Sequence, residues 1–104
     1  MSLRIRFEEE ADAEYRAAGR WYETRRNGLG REFLDAVDAT LQQLQAFPHS
    51  GVPVPRLPAD LPVRRLAVRR FPYHVVYLEM PDALRVLAVA HDRRKPGYWK
   101  GRLR

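Results

Sequence analysis

The residues best equipped for chemistry are gathered near the end of the chain, in His91-Asp92-Arg93-Arg94-Lys95-Pro96-Gly97-Tyr98-Trp99. From Arg85 to Arg104, seven basic residues stand against one acid, Asp92. Their net of +6 equals the formal charge of the whole chain. Guanidinium groups bind phosphate and carboxylate through a planar fork of donors. An imidazole or a phenol can move a proton, and an aromatic ring can stack on a base. A tail of this composition is suited to an acidic partner, either nucleic acid or an acidic protein.

The charge is unevenly divided. Residues 1–46 hold seven basic and nine acidic residues, a net of −2, whereas residues 47–104 hold twelve and four, a net of +8. Only Lys95 and Lys100 are lysines. An Arg-rich solvated surface explains any single arginine. The asymmetry between halves points instead to an acidic partner.

These side chains need a scaffold, and the periodicities supply one. Leu3, Ile5 and Phe7 alternate with Arg4 and Arg6, which predicts a half-buried strand. Glu8-Glu9-Glu10 follows, where acids suit the positive end of a helix dipole. Ala11, Tyr15, Ala18 and Tyr22 then recur at helical spacing through about Arg26, with Gly19 as an interruption and Trp21 alongside. Asn27-Gly28 and Gly30 are read as the break. A second helix carries Phe33, Val37, Leu41 and Leu44 as one apolar stripe and ends at Phe47-Pro48. The short break predicts an antiparallel helical hairpin.

Five of the eight prolines fall in residues 48–62. This stretch is read as an ordered connector, with a partner-binding loop as the alternative. Three strands follow: Val63 to Arg69, Tyr73 to Met80 and Leu84 to His91. The second is nearly all apolar, as in a strand covered on both faces. Tight turns make the three an antiparallel meander. The expected fold is α+β, in the order β-α-α-β-β-β, with the helical hairpin on one face of a mainly antiparallel sheet.

The chain of 104 residues suits one domain spanning residues 1–104. It has no cysteine, so disulfides and thiolate metal sites are excluded. Three scattered histidines predict no metal site, and nothing suggests a cofactor. The N-terminus lacks the apolar stretch of a signal peptide, and no run approaches a membrane span. A cytoplasmic location without membrane contact is expected.

Trp21-Tyr22-Glu23, Gly28-Leu29-Gly30, Phe33 through Pro48, Val63-Arg64-Arg65, Arg70-Phe71-Pro72-Tyr73-His74-Val75-Val76-Tyr77 and the run from Val86 to Trp99 occur in this order. In that arrangement the chain resembles the RelE/ParE superfamily of bacterial toxins, nearest to the ParE-like, plasmid-stabilisation branch. The resemblance implies an open groove beside the sheet. It also implies a cognate antitoxin, expected to carry an acidic, partly disordered segment. RelE-like members cut messenger RNA on the ribosome, and ParE-like members poison DNA gyrase.

Metal-free RNA cleavage requires a base, an acid and cations for the phosphorane charge. Under that reading the catalytic residues are His91, Arg93 and Tyr98. Target or nucleic-acid contacts fall to Arg64, Arg65, Arg69, His74, Arg94 and Lys95. RNA-cutting relatives carry an Arg just before the apolar run of the central strand, whereas this chain has His74 there. The departure favours a growth inhibitor that binds gyrase over a ribosome-dependent endoribonuclease. A degenerate toxin that only binds antitoxin is a third possibility. The structural alternatives are a His91 that packs against Trp99, a Tyr98-Trp99 pair that folds the tail onto the sheet, core positions for Tyr73 and Tyr77, and a solvent-exposed His49.

Overall fold

The computed structural model describes residues 3–58 and 60–103. Arg104, counted above in the basic tail, lies outside them. The elements are β1 (Arg4–Phe7), α1 (Glu9–Arg25), α2 (Leu29–Ala46), β2 (Val52–Pro53), β3 (Val63–Ala67), β4 (Tyr73–Glu79), β5 (Ala83–His91) and a terminal 3-10 turn, Lys100–Leu103. The sheet runs β1-β5-β4-β3-β2. β1 pairs with β5 in parallel, Ile5 opposite Leu84, and every other pairing is antiparallel. No helix among the described residues is long and apolar enough to cross a membrane.

The predicted hairpin and meander are present, with three differences. First, the prolines of residues 48–62 do not exclude a strand. Val52 and Pro53 pair with Arg65 and Arg64 at the sheet edge, where a proline costs no ladder bond. Second, β3 stops at Ala67, so Arg69 belongs to an exposed turn.

Third, neither Gly19 nor Gly30 breaks a helix. Gly19 lies within α1, and Gly30 is the second residue of α2. A Cβ on Gly30 would sit 2.5 Å from the Gly19 carbonyl oxygen. The two glycines therefore mark where the helices approach too closely for side chains. The actual turn residue is Gly28, at φ 88°. The Glu23 carboxylate accepts the amides of both Gly28 and Gly30 at 3.0 Å and so takes up orphan donors at the start of α2.

The helices cover one face of the sheet. Phe33, Val37 and Leu44 of α2 are fully buried against Val75, Tyr77, Leu84 and Val86. Tyr73 joins this cluster half-buried. On the opposite face Val63, Val76, Leu87, Ala88 and Ala90 are sealed by Trp99, which is 3% exposed. The tail thus folds back onto the sheet. Pro96 and Gly97 turn it, Gly97 at φ 78°.

The two faces interlock through a bulge. Val76 pairs with Ala88 and Tyr77 with Val86, leaving Leu87 as the extra residue. Leu87 and Ala88 consequently both contribute to the tail-side cluster, while Val86 and Val89 stay on the helix side.

Candidate functional site

β5 loses its parallel neighbour when β1 ends at Phe7. Its edge beyond Val86 would be left with unpaired backbone groups. Two side chains occupy it. Glu14 on α1 accepts the Val89 amide at 3.1 Å, and Arg102 donates to the Leu87 carbonyl at 2.9 Å. Arg102 also engages Glu14 through both terminal nitrogens, at 2.9 and 3.1 Å. Tyr98 adds its hydroxyl, donating to Glu14 Oε2 at 2.7 Å.

This cluster shapes the chemistry of its members. Burial, then the hydrogen bond to Glu14, raise the Tyr98 phenol far above its ordinary value. Burial works against the Arg102 charge, but Glu14 outweighs it and raises the Arg102 pKa. Arg94 lies over the Tyr98 ring at 3.9 Å, and Arg102 lies at 5.1 Å from it. These are cation–π distances.

Two cavities open on either side of the sheet, and Arg94 borders both. The helix-side cavity, about 540 Å³, has aromatic walls from Trp21, Tyr22 and Tyr73 over a floor of Ala17 and Ala18. Trp21 is half exposed, 51%, with the Arg25 guanidinium 4.3 Å from its ring centroid. The tail-side groove, about 470 Å³, is lined by Arg56, Arg65, Arg94, Lys95 and Lys100 around the His74–Asp92 pair.

Strand register explains how the sequence candidates are divided. Tyr73 stands opposite His91, and His74 opposite Ala90. Neighbouring positions on one strand face opposite ways. His91 is therefore on the helix side, against Tyr73 at 5.1 Å between ring centroids, and not against Trp99. His74 faces the groove. Its Nδ1 lies 2.9 Å from Asp92 Oδ1, so a neutral imidazole donates there and presents a bare Nε2. In His91 the arrangement is reversed. The Arg93 amide donates to its Nδ1 at 3.1 Å, so a neutral ring must carry its proton on Nε2.

Of the predicted contact residues, Arg65, His74, Arg94 and Lys95 come together at the groove, joined by Tyr98 from the catalytic set. The others do not. Arg64 turns back to donate to the Gly51 carbonyl at 2.8 Å. Arg69 and Arg93 occupy exposed turns that line neither cavity. His49, though 73% exposed at its side chain, is held 2.8 Å from Glu79.

The groove also contains residues that sequence reasoning had not placed there. Arg56 sat in the proline-rich connector and Lys100 in the tail, and both line it. The partner-loop reading of the connector was the signal for Arg56. Glu14 had no signal, being one acid among many on a helix.

The comparisons agree with this architecture. The family described as "ParE toxin of type II toxin-antitoxin system, parDE" matches residues 5–96. A solved structure described as the chromosomal ParDE TA system from P. aeruginosa is similar to this chain, with a TM-score of 0.60 at 19% sequence identity. The match covers 86% of this chain and 96% of that one, and at this identity it shows the fold. No curated protein sequence matches. The family match spans most of the chain, which therefore belongs to the ParE toxin family of type II toxin–antitoxin systems.

Proposed function

We propose that this toxin arrests growth by docking on DNA gyrase through its basic groove, without chemistry of its own. The observation that carries the reading is the division of the proton-transfer candidates. His91 lies on the helix side, with its only neutral lone pair engaged by the Arg93 amide. Tyr98 lies at the groove, with its proton given to Glu14. A base and an acid must both reach one phosphate for cleavage. Here they belong to different cavities.

The antitoxin fits the same molecule through a different surface. The helix-side cavity is walled by Trp21, Tyr22 and Tyr73, with Arg94 at its rim. That combination suits apolar side chains carried on an acidic segment that orders on binding. Association should slow as salt screens the basic side chains.

One observation favours RNA cleavage as a second reading. The His74–Asp92 pair orients an imidazole within a cationic groove, as a positioned base would be. It lacks an acid partner, since Tyr98 is committed to Glu14.

Supercoiling by purified gyrase, assayed with and without the toxin, tests the proposal. Loss of supercoiling with intact reporter messages is expected. Rapid message cleavage on ribosomes, with gyrase unaffected, would replace it with the second reading.

A further inference from the structure

The tail-side groove differs from the rest of the surface in how its charges are matched. Elsewhere seven of the thirteen described basic side chains meet acids. Arg85 pairs with Glu8, Arg102 with Glu14, Arg16 with Asp12, and Arg26 and Arg70 share Glu32. In the groove, Arg56, Arg65, Arg94, Lys95 and Lys100 line one concave surface, and none makes an ion pair among the described residues. The one acid of the groove, Asp92, is held by His74 at 2.9 Å.

The groove offers less to other kinds of recognition. Its apolar floor is sealed: Val76, Ala90 and Trp99 are 0%, 1% and 3% exposed. An acidic peptide would find charge with only Val54, Pro55 and Pro96 as accessible apolar contacts. The aromatic rings of the tail are occupied as well. Trp99 is in the core, and Tyr98 carries Arg94 on its ring at 3.9 Å. Single strands are held largely by bases stacked on exposed rings. Tyr98 lines this groove, but Arg94 already covers its ring. No Asn or Gln lines it to read adenine, and sequence-blind binding requires its arginines and lysines to meet phosphates rather than guanine edges.

What remains is a set of exposed cations without ion pairs among the described residues, one of them, Arg94, lying on the Tyr98 ring. This is the chemistry that neutralises a phosphodiester backbone. We infer that the groove binds the phosphate backbone of double-helical DNA, independently of sequence. This rests on the gyrase reading for its biological setting, because gyrase works on bound duplex. It adds that the toxin contacts the DNA as well as the enzyme.

Fluorescence anisotropy of a labelled short duplex with the full-length toxin, in the absence of gyrase, tests the inference. If all five cations meet phosphates, the slope of log affinity against log salt should be close to −4.5, at about −0.9 per phosphate. Affinity should then fall roughly 500-fold between about 50 and 200 mM salt. Unrelated duplex sequences should bind equally. Arg65→Ala and Lys100→Ala, both at exposed positions, should each flatten the slope by about one without changing the melting temperature.

Three outcomes would overturn the inference: no duplex binding at low salt, tighter binding of single-stranded DNA or RNA, or tighter binding of polyglutamate. A parallel supercoiling assay separates this inference from the reading beneath it. A toxin that inhibits gyrase yet ignores free duplex sinks the inference alone. A toxin that binds duplex and leaves gyrase active sinks the gyrase reading alone.

Discussion

Glu14 and Arg102, 88 positions apart, close the free edge of β5 together: the carboxylate takes the Val89 amide and the guanidinium takes the Leu87 carbonyl. Each also neutralises the other at 2.9 Å, with side chains only 18% and 15% exposed. The pair ties α1 to the tail, and through Tyr98 it supports the ring on which Arg94 lies. A paired charge in so dry a place is costly to orphan.

Glu14→Ala should therefore destabilise the protein by about 2–3 kcal/mol, since it strands Arg102 and the Tyr98 hydroxyl together. In a domain of this size that is a fall of at least about 8 °C in melting temperature. Amide hydrogen exchange at Val89 provides the local readout. It should accelerate in Glu14→Ala even under conditions where the strand remains folded. An unchanged Val89 exchange rate would mean that the edge is closed by something other than the carboxylate.

Trp99→Ala should cost about 3–5 kcal/mol, as expected for a large ring removed from a packed core. Trp99 is 3% exposed and seals the tail side of the sheet. A thermal melt decides the matter. Lost toxicity at an unchanged melting temperature would instead make Trp99 a target contact.

His91→Gln should leave substantial toxicity, because His91 is separated from the groove by the sheet and packs on Tyr73. Removal of a general acid or base would cost about 10²–10⁴-fold. Changing Arg65, Arg94 and Lys95 together should abolish toxicity, since all three line the groove. Growth arrest after induction measures both variants. Abolished toxicity in a folded His91→Gln protein would restore His91 as a catalytic candidate.

Stability should decline in alkali. The phenols of Tyr15, Tyr22, Tyr73, Tyr77 and Tyr98, all the tyrosines of the chain, are raised above 10.0, with burial the first cause in each. Tyr15, which also donates to Asp38 at 2.9 Å, is pushed up to about 12. A phenol with a higher pKa in the folded state holds its proton more tightly there. Its contribution is complete below the unfolded value and is lost as pH rises through the folded one. The melting temperature should thus be flat up to about pH 9 and fall from about pH 10 upward. Near-ultraviolet titration should show fewer tyrosinates at about pH 11 in the folded protein than in denaturant. Equal titration in both would refute it.

Much of the scaffold could be read from local pattern. The stripe of Phe33, Val37, Leu41 and Leu44 repeats at helical spacing, and burial of that stripe is what packs α2 on the sheet. The apolar run of β4 announced a strand covered on both faces, because both faces are covered. The aromatic pair Tyr98-Trp99 pointed to a tail that returns to the sheet, and Trp99 is buried there. Charge composition alone located the cationic half. Apart from the charge count, each of these signals depends on residues within a turn or two of one another.

The division of the site between two faces was a different matter. Whether His74 or His91 joins the arginines depends on strand register, and a shift of one residue exchanges the faces. The extra residue at Leu87 makes such a change within β5, and nothing in an apolar run marks where a bulge must fall. Arg56 reaches the groove because the proline-rich connector runs past β3, and Glu14 finds Arg102 because β1 is too short to cover β5. Those pairings are formed across space between segments whose local patterns are independent. Only the packing of the whole sheet brings them within hydrogen-bonding distance.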